Sequence, residues 1–267
     1  MNIIVFVKET VGKNAPLSSN NTFPGDREED DVAINDYDKH ALEAALQIVE
    51  NVGEGKVTAV SFGSNNADKV LKRAIAMGTH EAIRIDNSEK RIIDSFRVAK
   101  VLAKGVEKIG DYNIVLFGMQ SYDGGSASVP PMVAEFLNLA HACWVEKIQF
   151  GNGSLVADKV IEGGTRSIRI QLPCVLSIAS TGDYEEPRYT SVRRIMKASR
   201  TKIPVWSIDE LEADTETQSN VSLTEITEPP VRAEKCVIFK EDEPSAMVEQ
   251  LVNALKEKGL NLAAFKE

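Results

Sequence analysis

The chain has 267 residues, of which 43% are hydrophobic, and a formal net charge of −9. This composition allows one large α/β domain, or one domain with an extension, and the acidic balance argues against nucleic acid as a partner, because a phosphate backbone is bound by a basic face. The apolar run from Ile3 to Val7 is too short for a signal segment or a membrane-spanning helix, so we expect a cytoplasmic protein that opens with a strand.

Short runs of β-branched residues alternate with amphipathic stretches over the first two thirds of the chain. Strands are predicted near residues 2–8, 56–62, 81–85, 113–118 and 173–178. Helices are predicted over Asp36 to Val52, Asn66 to Met77 and Arg91 to Ile109, each followed by a glycine that ends it. This alternation predicts an α/β fold of the Rossmann-like kind, with a doubly wound, mostly parallel sheet covered by helices on both faces.

Two segments interrupt the alternation. Residues 12–33 are polar, contain two prolines and end in an acidic run, so we predict an exposed excursion after the first strand. Residues 207–244 are acidic and lack the strand and helix pattern, and residues 245–260 then predict a final amphipathic helix. We therefore expect an α/β domain over residues 1–206 and a C-terminal arm with a helix over residues 207–267, which lies on a partner.

The loop that begins at Gly118, after the fourth predicted strand, is the most informative local feature. Its glycines allow a tight turn, the hydroxyl groups of Ser126 and Ser128 can cap a helix, and Pro130 suits a first helical turn, so backbone N–H groups would remain free for a phosphate. It contains neither a Walker A lysine nor a GxGxxG fingerprint, so ATP hydrolysis is not indicated. The residues alone also allow a capped turn without a ligand, but the position at a strand's carboxyl end favours a ligand.

The other reactive residue types form no catalytic pattern. The three cysteines are widely spaced and predict free thiols rather than a disulfide or a metal site, and the three histidines lie in different predicted elements. We therefore assign no catalytic and no metal-binding residue. A basic stretch from Arg193 to Lys202 is either a solvated helix face or a docking surface for an acidic partner.

Five segments, in order, carry a family resemblance. They are NIIVFVKE, AINDYDKHALEAALQIVE, VTAVSFGSNNADKVLKRAIAMGTHEAIRI, FGMQSYDGGSASV and EEPRYTSVRRIMKASRTKI. Together they resemble the electron transfer flavoprotein β (small) subunit family over residues 1–204, and they look most like the AMP-binding β subunits that serve methylamine-type dehydrogenases. The resemblance implies a heterodimer with an α subunit that holds most of the FAD, AMP bound structurally in the β subunit, and transient contact with a partner dehydrogenase. It implies an electron carrier subunit, and not an enzyme.

The resemblance also implies the residues of the nucleotide site. They are Phe6, Asn35, Asp36, Tyr37, Asp38, Phe62, Gly63, Gly118, Gln120, Asp123, Gly124, Gly125, Ser126, Ala127, Ser128 and Val129. All of them are expected at strand ends or helix starts, where backbone amides and a helix dipole favour a phosphate. In several family members the aromatic residue at the position of Tyr37 approaches the flavin of the large subunit.

Residues 187–198 resemble the family's recognition loop, which docks into a hydrophobic pocket of the partner dehydrogenase. The docking residues implied are Tyr189, Val192, Arg193 and Ile195. Val192 stands where the family has an anchoring leucine, and one methylene less buries less apolar surface, a difference of about 0.8 kcal/mol.

Two alternatives stay open. Electron-bifurcating members of the family hold a second, redox-active FAD at the β site, and their loop resembles D-G-D-T-A-Q-V; residues Asp123 to Val129 lack the second Asp and the Gln, so we expect AMP. The other alternative is a stand-alone adenine-nucleotide-binding protein or an ATP-splitting enzyme of related fold. The loop's lack of a phosphate-contacting lysine argues against it.

Overall fold

The structure is a computed structural model of the chain, and it describes residues 1–11, 32–89, 92–151, 154–213 and 236–260. The strands are β1 (Asn2–Phe6), β2 (Glu9–Val11), β3 (Val32–Ile34), β4 (Lys56–Gly63), β5 (Glu81–Asp86), β6 (Ile114–Gly118), β7 (Ala140–Gly151), β8 (Ser154–Ile161), β9 (Gly164–Gln171), β10 (Cys174–Ile178) and β11 (Val205–Trp206). The helices are α1 (Asp36–Val52), α2 (Ala67–Met77), α3 (Ser95–Ile109), α4 (Val129–Phe136), α5 (Val192–Ser199) and α6 (Pro244–Glu257).

Within the described residues, nine strands form the central sheet in the order β11-β5-β4-β1-β6-β10-β7-β8-β9. Pairing is parallel from β11 to β7 and antiparallel from β7 to β9. Strands β2 and β3 form a separate antiparallel pair. The predicted doubly wound, mostly parallel α/β sheet is confirmed.

The central strands are mostly apolar because both of their faces are covered. Successive side chains of a strand point to opposite faces, and Ile3 and Val5 accordingly join one buried cluster with residues of α1 and α2. Ile4 and Phe6 join a second cluster with residues of α3 and α4. The sheet is therefore sandwiched between two helical layers.

Helix α3 begins at Ser95, so the predicted start at Arg91 was wrong. The side chain of Asn87 accepts a hydrogen bond from the Ile92 amide and donates one to the Ile92 carbonyl, both at 2.8 Å, and this pair holds Ile92 in a turn before the helix. The carboxylate of Asp94 then accepts from the Arg97 amide at 2.9 Å, which is an N-cap. Ile92 thus lies before the helix, and its side chain is buried in the cluster beside α3.

The antiparallel extension β7 to β9 had no counterpart in the sequence prediction. Leu155 and Ala157 of β8 are fully buried, whereas β9 is exposed along most of its length. A sheet that is covered on one face gives a weaker pattern than a strand buried on both faces. Runs of apolar residues therefore predicted the central strands but did not predict the strands of the extension.

The chain divides into two compact units, Met1–Ile226 and Thr227–Glu267. In the first unit, Ile208, Leu211 and Ala213 join the buried cluster beside α3, so the segment just after residue 206 still contributes to the core of the domain. Helix α6 lies in the second unit, where the final helix was predicted. Of the predicted excursion, residues 12–31 lie outside the described residues, while Val32 and Ala33 belong to β3. Residues 214–235 of the predicted arm lie outside them as well.

Candidate functional site

A cavity of about 540 Å³ opens at the carboxyl edge of the sheet. It lies where β1, β4 and β6 end, at the point where the strand order reverses, which is the usual ligand position in an open α/β sheet. We call it the edge cavity. Most of the residues predicted for the nucleotide site line it: Phe6, Asn35, Asp38, Phe62, Gly63, Gly118, Gln120, Asp123, Gly124, Ser126, Ala127, Ser128 and Val129. The predicted residues Asp36, Tyr37 and Gly125 are not part of its lining.

Asp38, in the first turn of α1, connects the strand ends that form the edge cavity. Its Oδ2 accepts a hydrogen bond from the Lys8 amide at 2.7 Å, and its Oδ1 accepts from the Gly118 amide at 3.2 Å and from Asn35 Nδ2 at 2.9 Å. Burial raises the pKa of Asp38 to about 7, although these hydrogen bonds oppose the shift. One carboxyl group thus fixes the ends of β1 and β6 against the start of α1.

Gly118 must be a glycine because α1 approaches it closely. A Cβ atom there would lie 2.6 Å from the carbonyl carbon of Tyr37 and 2.8 Å from the amide nitrogen of Asp38. Backbone atoms cannot move aside as a flexible side chain does, so a larger residue would push α1 away from β6.

Asn35, just before α1, orders the loop that follows Gly118. Its Nδ2 donates to the Gln120 carbonyl at 2.9 Å, and its Oδ1 accepts from the Tyr122 amide at 3.0 Å. Gln120 Nε2 donates to the Tyr37 hydroxyl at 3.5 Å, which places Tyr37 beside the loop and outside the cavity lining.

The loop then turns and presents free backbone amides at the start of α4. The amides of Gly124 and Gly125 both donate to Ser121, to its hydroxyl and its carbonyl respectively. Among the described residues, the amides of residues 126–129 have no hydrogen-bond partner. Such amides at a helix N-terminus form an anion-binding position.

The serine caps predicted for this loop are not formed. The hydroxyl groups of Ser126 and Ser128 lie 3.0 Å apart and bond to each other, and the Ser128 side chain makes no cap bond. Pro130 does occupy the first turn, as expected. The amides of Ser128 and Val129 are therefore free because the first N–H groups of a helix have no intrahelical acceptor, and because no serine hydroxyl caps them.

Sequence reasoning missed one whole wall of the edge cavity. It comes from the turn before α3 and from α3 itself: Asn87, Ile92, Ile93, Ser95, Val98 and Leu102. Lys8 and Glu9, which follow β1, were missed too. The signal for both was available, since Lys8 ends one predicted parallel strand and Asn87 comes just after another. The α3 wall depends on which face of the helix meets the sheet edge, and the periodicity of the helix alone does not give this.

The predicted docking residues lie together on one exposed segment. Tyr189 is 97% and Val192 73% exposed, and Ile195 lies one turn further along α5. The Ser191 hydroxyl accepts from the Arg194 amide at 3.3 Å and caps the helix. An exposed apolar group on an ordered helix is typical of an interaction surface.

Two kinds of site find no support in the described part of the chain. It contains no cluster of histidine, cysteine and acidic side chains that could hold a metal ion. None of its helices combines the length and the apolar character needed to cross a bilayer.

Comparison with known proteins agrees with this architecture. Residues 26–211 match the family model described as electron transfer flavoprotein domain. The chain is 34% identical over 215 residues to the electron transfer flavoprotein subunit beta of Thermoanaerobacterium thermosaccharolyticum, which covers 80% of this chain and 81% of the relative. It is 29% identical over 261 residues to the subunit beta of Bacillus subtilis, at 96% and 98% coverage. It is also 29% identical over 211 residues, at 79% and 80% coverage, to the caffeyl-CoA reductase-Etf complex subunit CarD of Acetobacterium woodii. The chain therefore belongs to the electron transfer flavoprotein family and, within it, to the β subunits.

Proposed function

We propose that this chain is the β subunit of a heterodimeric electron transfer flavoprotein that carries electrons from a dehydrogenase. In this proposal the α subunit holds most of the FAD, and the edge cavity of this chain holds AMP in a structural role. The name subunit beta, which the relatives bear, supports an α subunit as the partner. FAD supplies the electron-accepting and electron-donating chemistry when it is bound.

The observation that carries the AMP proposal is the row of free amides at the start of α4, inside a cavity of nucleotide size. The volume of about 540 Å³ falls within the usual range for small-molecule pockets. The amides of residues 126–129 would hold the phosphate, since they have no partner in the described chain. The apolar wall of Ile92, Val98 and Leu102 would bury the adenosine.

The roles of this chain's residues are then binding and orientation. Asp38 and Asn35 fix the strand ends and the loop, so the amides stand ready before the nucleotide arrives. Phe6 and Phe117, which both line the cavity, stack with ring centroids 4.9 Å apart and stiffen its wall. A bound nucleotide would tie β1, β6 and α4 together and stabilise the scaffold that faces the flavin. Tyr37, held by Gln120, is the aromatic residue we assign to the flavin side.

We assign docking to the exposed segment that carries Tyr189, Val192, Arg193 and Ile195. The contact with a dehydrogenase would be transient, because electron carriers must exchange partners quickly. Exposed apolar side chains supply the contact area, and the neighbouring cations favour an acidic partner.

A second candidate is a bifurcating flavoprotein, in which the edge cavity holds a second FAD. The observation that favours it is the likeness to CarD, a subunit of a complex of Etf with a reductase. The loop from Asp123 to Val129 lacks the second Asp and the Gln of bifurcating members, and this supports AMP.

Counting the nucleotides decides between these candidates. The chain is co-expressed with an electron transfer flavoprotein α subunit from the same organism, the complex is purified, and acid-released nucleotides are identified by mass spectrometry. We expect a yellow heterodimer with about one FAD and about one AMP. A flavin content of about two without AMP would establish the bifurcating type, and a chain that never copurifies with an α subunit would overturn the proposal.

A further inference from the structure

Lys8 and Asp123 form an ion pair on the lining of the edge cavity. The distance from Lys8 Nζ to Asp123 Oδ1 is 2.7 Å, and the two side chains are 43% and 17% exposed. Lys8 follows β1, and Asp123 lies in the loop after the neighbouring strand β6. The pair therefore links the end of β1 to the loop after β6.

One cation lies among the described residues that line the edge cavity. Its described lining contains three carboxyl groups, those of Glu9, Asp38 and Asp123, and Lys8 is its one cation. Glu9 and Asp38 are buried, at 1% and 5% exposure. Free backbone amides carry only partial charges, so a phosphate dianion bound to them is stabilised further by a full positive charge. Among the described lining residues, Lys8 is the group that supplies it.

The ammonium group of Lys8 is also able to move from Asp123 to a phosphate bound nearby. Its backbone amide is held by Asp38, which fixes the root of the side chain, while the side chain itself is flexible and partly exposed. Asp123 lies a few residues before the free amides of residues 126–129, in the same loop. A phosphate at those amides and the Asp123 carboxylate are like charges that compete for one ammonium group.

We infer that Lys8 is the counter-ion of the nucleotide phosphate, and that Asp123 neutralises Lys8 while the edge cavity is empty. The inference rests on the proposed nucleotide site and adds a residue to it. It also reverses one argument from the sequence, which took the lack of a lysine in the loop itself as a lack of a phosphate-contacting lysine. Here the lysine comes from the adjacent strand end.

The rival explanation is that the pair is a strap that only holds the loop closed. The two explanations predict opposite effects for Asp123→Asn. If Asp123 competes with the phosphate, removing its charge releases Lys8 and tightens nucleotide binding. If the pair is a strap, removing either charge loosens the loop and weakens binding equally.

The test measures exchange of isotopically labelled AMP into the heterodimer, and its apparent affinity, for Lys8→Met, Lys8→Arg and Asp123→Asn. Lys8→Met should weaken AMP binding roughly tenfold to a hundredfold, the usual loss for a hydrogen bond to a charged group. Lys8→Arg should recover most of the affinity. Asp123→Asn should tighten binding roughly twofold to fivefold, since a partly exposed ion pair contributes little. Added salt should weaken AMP binding less in Lys8→Met than in the wild type.

The pair Lys56 and Glu81 provides the matched control. It is a similar ion pair at 3.1 Å, with side chains 40% and 51% exposed, and it lies at the start of β4, away from the edge cavity. Lys56→Met and Glu81→Gln should leave AMP exchange unchanged. Weaker binding in Asp123→Asn, or unchanged binding in Lys8→Met, would overturn the inference while leaving the nucleotide site intact. A wild-type heterodimer that binds no AMP would overturn both.

Discussion

Asp38 shows how one buried side chain couples the fold to the site. Its carboxyl group accepts hydrogen bonds from three segments, yet burial dominates and raises its pKa from 3.8 to about 7. In the unfolded chain the group would titrate near its ordinary value. Between about pH 4 and pH 7 the folded protein thus retains a proton that the unfolded chain has lost. Folding stability therefore falls as the pH rises through this window.

We predict that Asp38→Asn removes this pH dependence. Asparagine has the shape of the protonated acid but does not titrate, so the stability difference between variant and wild type should change between pH 5 and pH 8. Over that range the variant should gain about 3 kcal/mol relative to the wild type, because the wild type acquires a buried charge over about two pH units. Urea unfolding at both pH values measures the difference. Asp111→Asn, an exposed carboxylate that bonds Asn2, is the control, and parallel pH profiles for Asp38→Asn and the wild type would contradict the assignment.

Some elements could be predicted because their signal is local. Strands β1, β6 and β10 are continuous apolar runs, and α1 and α2 show clear periodicity with a glycine after the last turn. The start of α3 could not be predicted, since it depends on the contact between the Asn87 side chain and Ile92. The loop after β6 could also be predicted, because the end of a strand is marked by neighbouring residues in the sequence. The α3 wall of the cavity could not, because it arises from packing between distant segments.

The segment before α5 is fixed to α1 by a cluster of charged groups. The Arg188 guanidinium donates to Glu43 at 2.8 Å and 3.0 Å and to Glu50 at 2.6 Å and 3.0 Å. Burial tends to raise the pKa of Glu43, but the hydrogen bonds from Arg188 outweigh it and hold that pKa below its usual value. The hydrogen bonds from Arg188 likewise lower the pKa of Glu50. The segment that carries the proposed docking residues is therefore anchored by a planar arginine that makes several hydrogen bonds.

We predict that Arg188→Ala lowers the free energy of unfolding by about 1–3 kcal/mol, because it leaves the buried Glu43 without its charge partner. Arg188→Lys should recover only part of the loss, since one ammonium group cannot bond both carboxylates in this geometry. Urea unfolding provides the measurement. The exposed Arg193, for which the described chain offers no ion pair, is the control, and Arg193→Ala should shift stability by less than about 0.5 kcal/mol. Equal losses for both variants would exclude a specific role for Arg188.

The whole molecule is acidic, yet its proposed docking segment is basic and apolar. The net charge is −9, while Arg193, Lys197 and Arg200 of the α5 region form no ion pair with other described residues. Two acidic proteins repel each other at long range, so a local basic patch can select both the partner and the orientation in which it docks. Apolar contact then supplies the affinity that charges alone do not.

We predict that Val192 sets the strength of that contact. Val192→Ala removes exposed apolar surface and should raise the KM for the heterodimer in flavin reduction by its dehydrogenase about fivefold to tenfold. Val192→Leu adds one methylene and should lower that KM about threefold where the partner's pocket accepts a leucine. Stopped-flow reduction by the dehydrogenase, with flavin content measured in each preparation, gives the numbers.

The control is Ile161→Ala, which shortens another exposed apolar residue, 36% exposed, at the end of β8. Its reduction kinetics should match the wild type, because the docking segment is anchored on α1 and α5 packs against α2, whereas Ile161 belongs to the antiparallel extension. Docking through α5 also requires that salt raises KM in the wild type and in Val192→Ala alike, since the cations remain. An unchanged KM in Val192→Ala, at full flavin content, would show that α5 is not part of the interface with the dehydrogenase. The dehydrogenase would then dock on another face of the heterodimer.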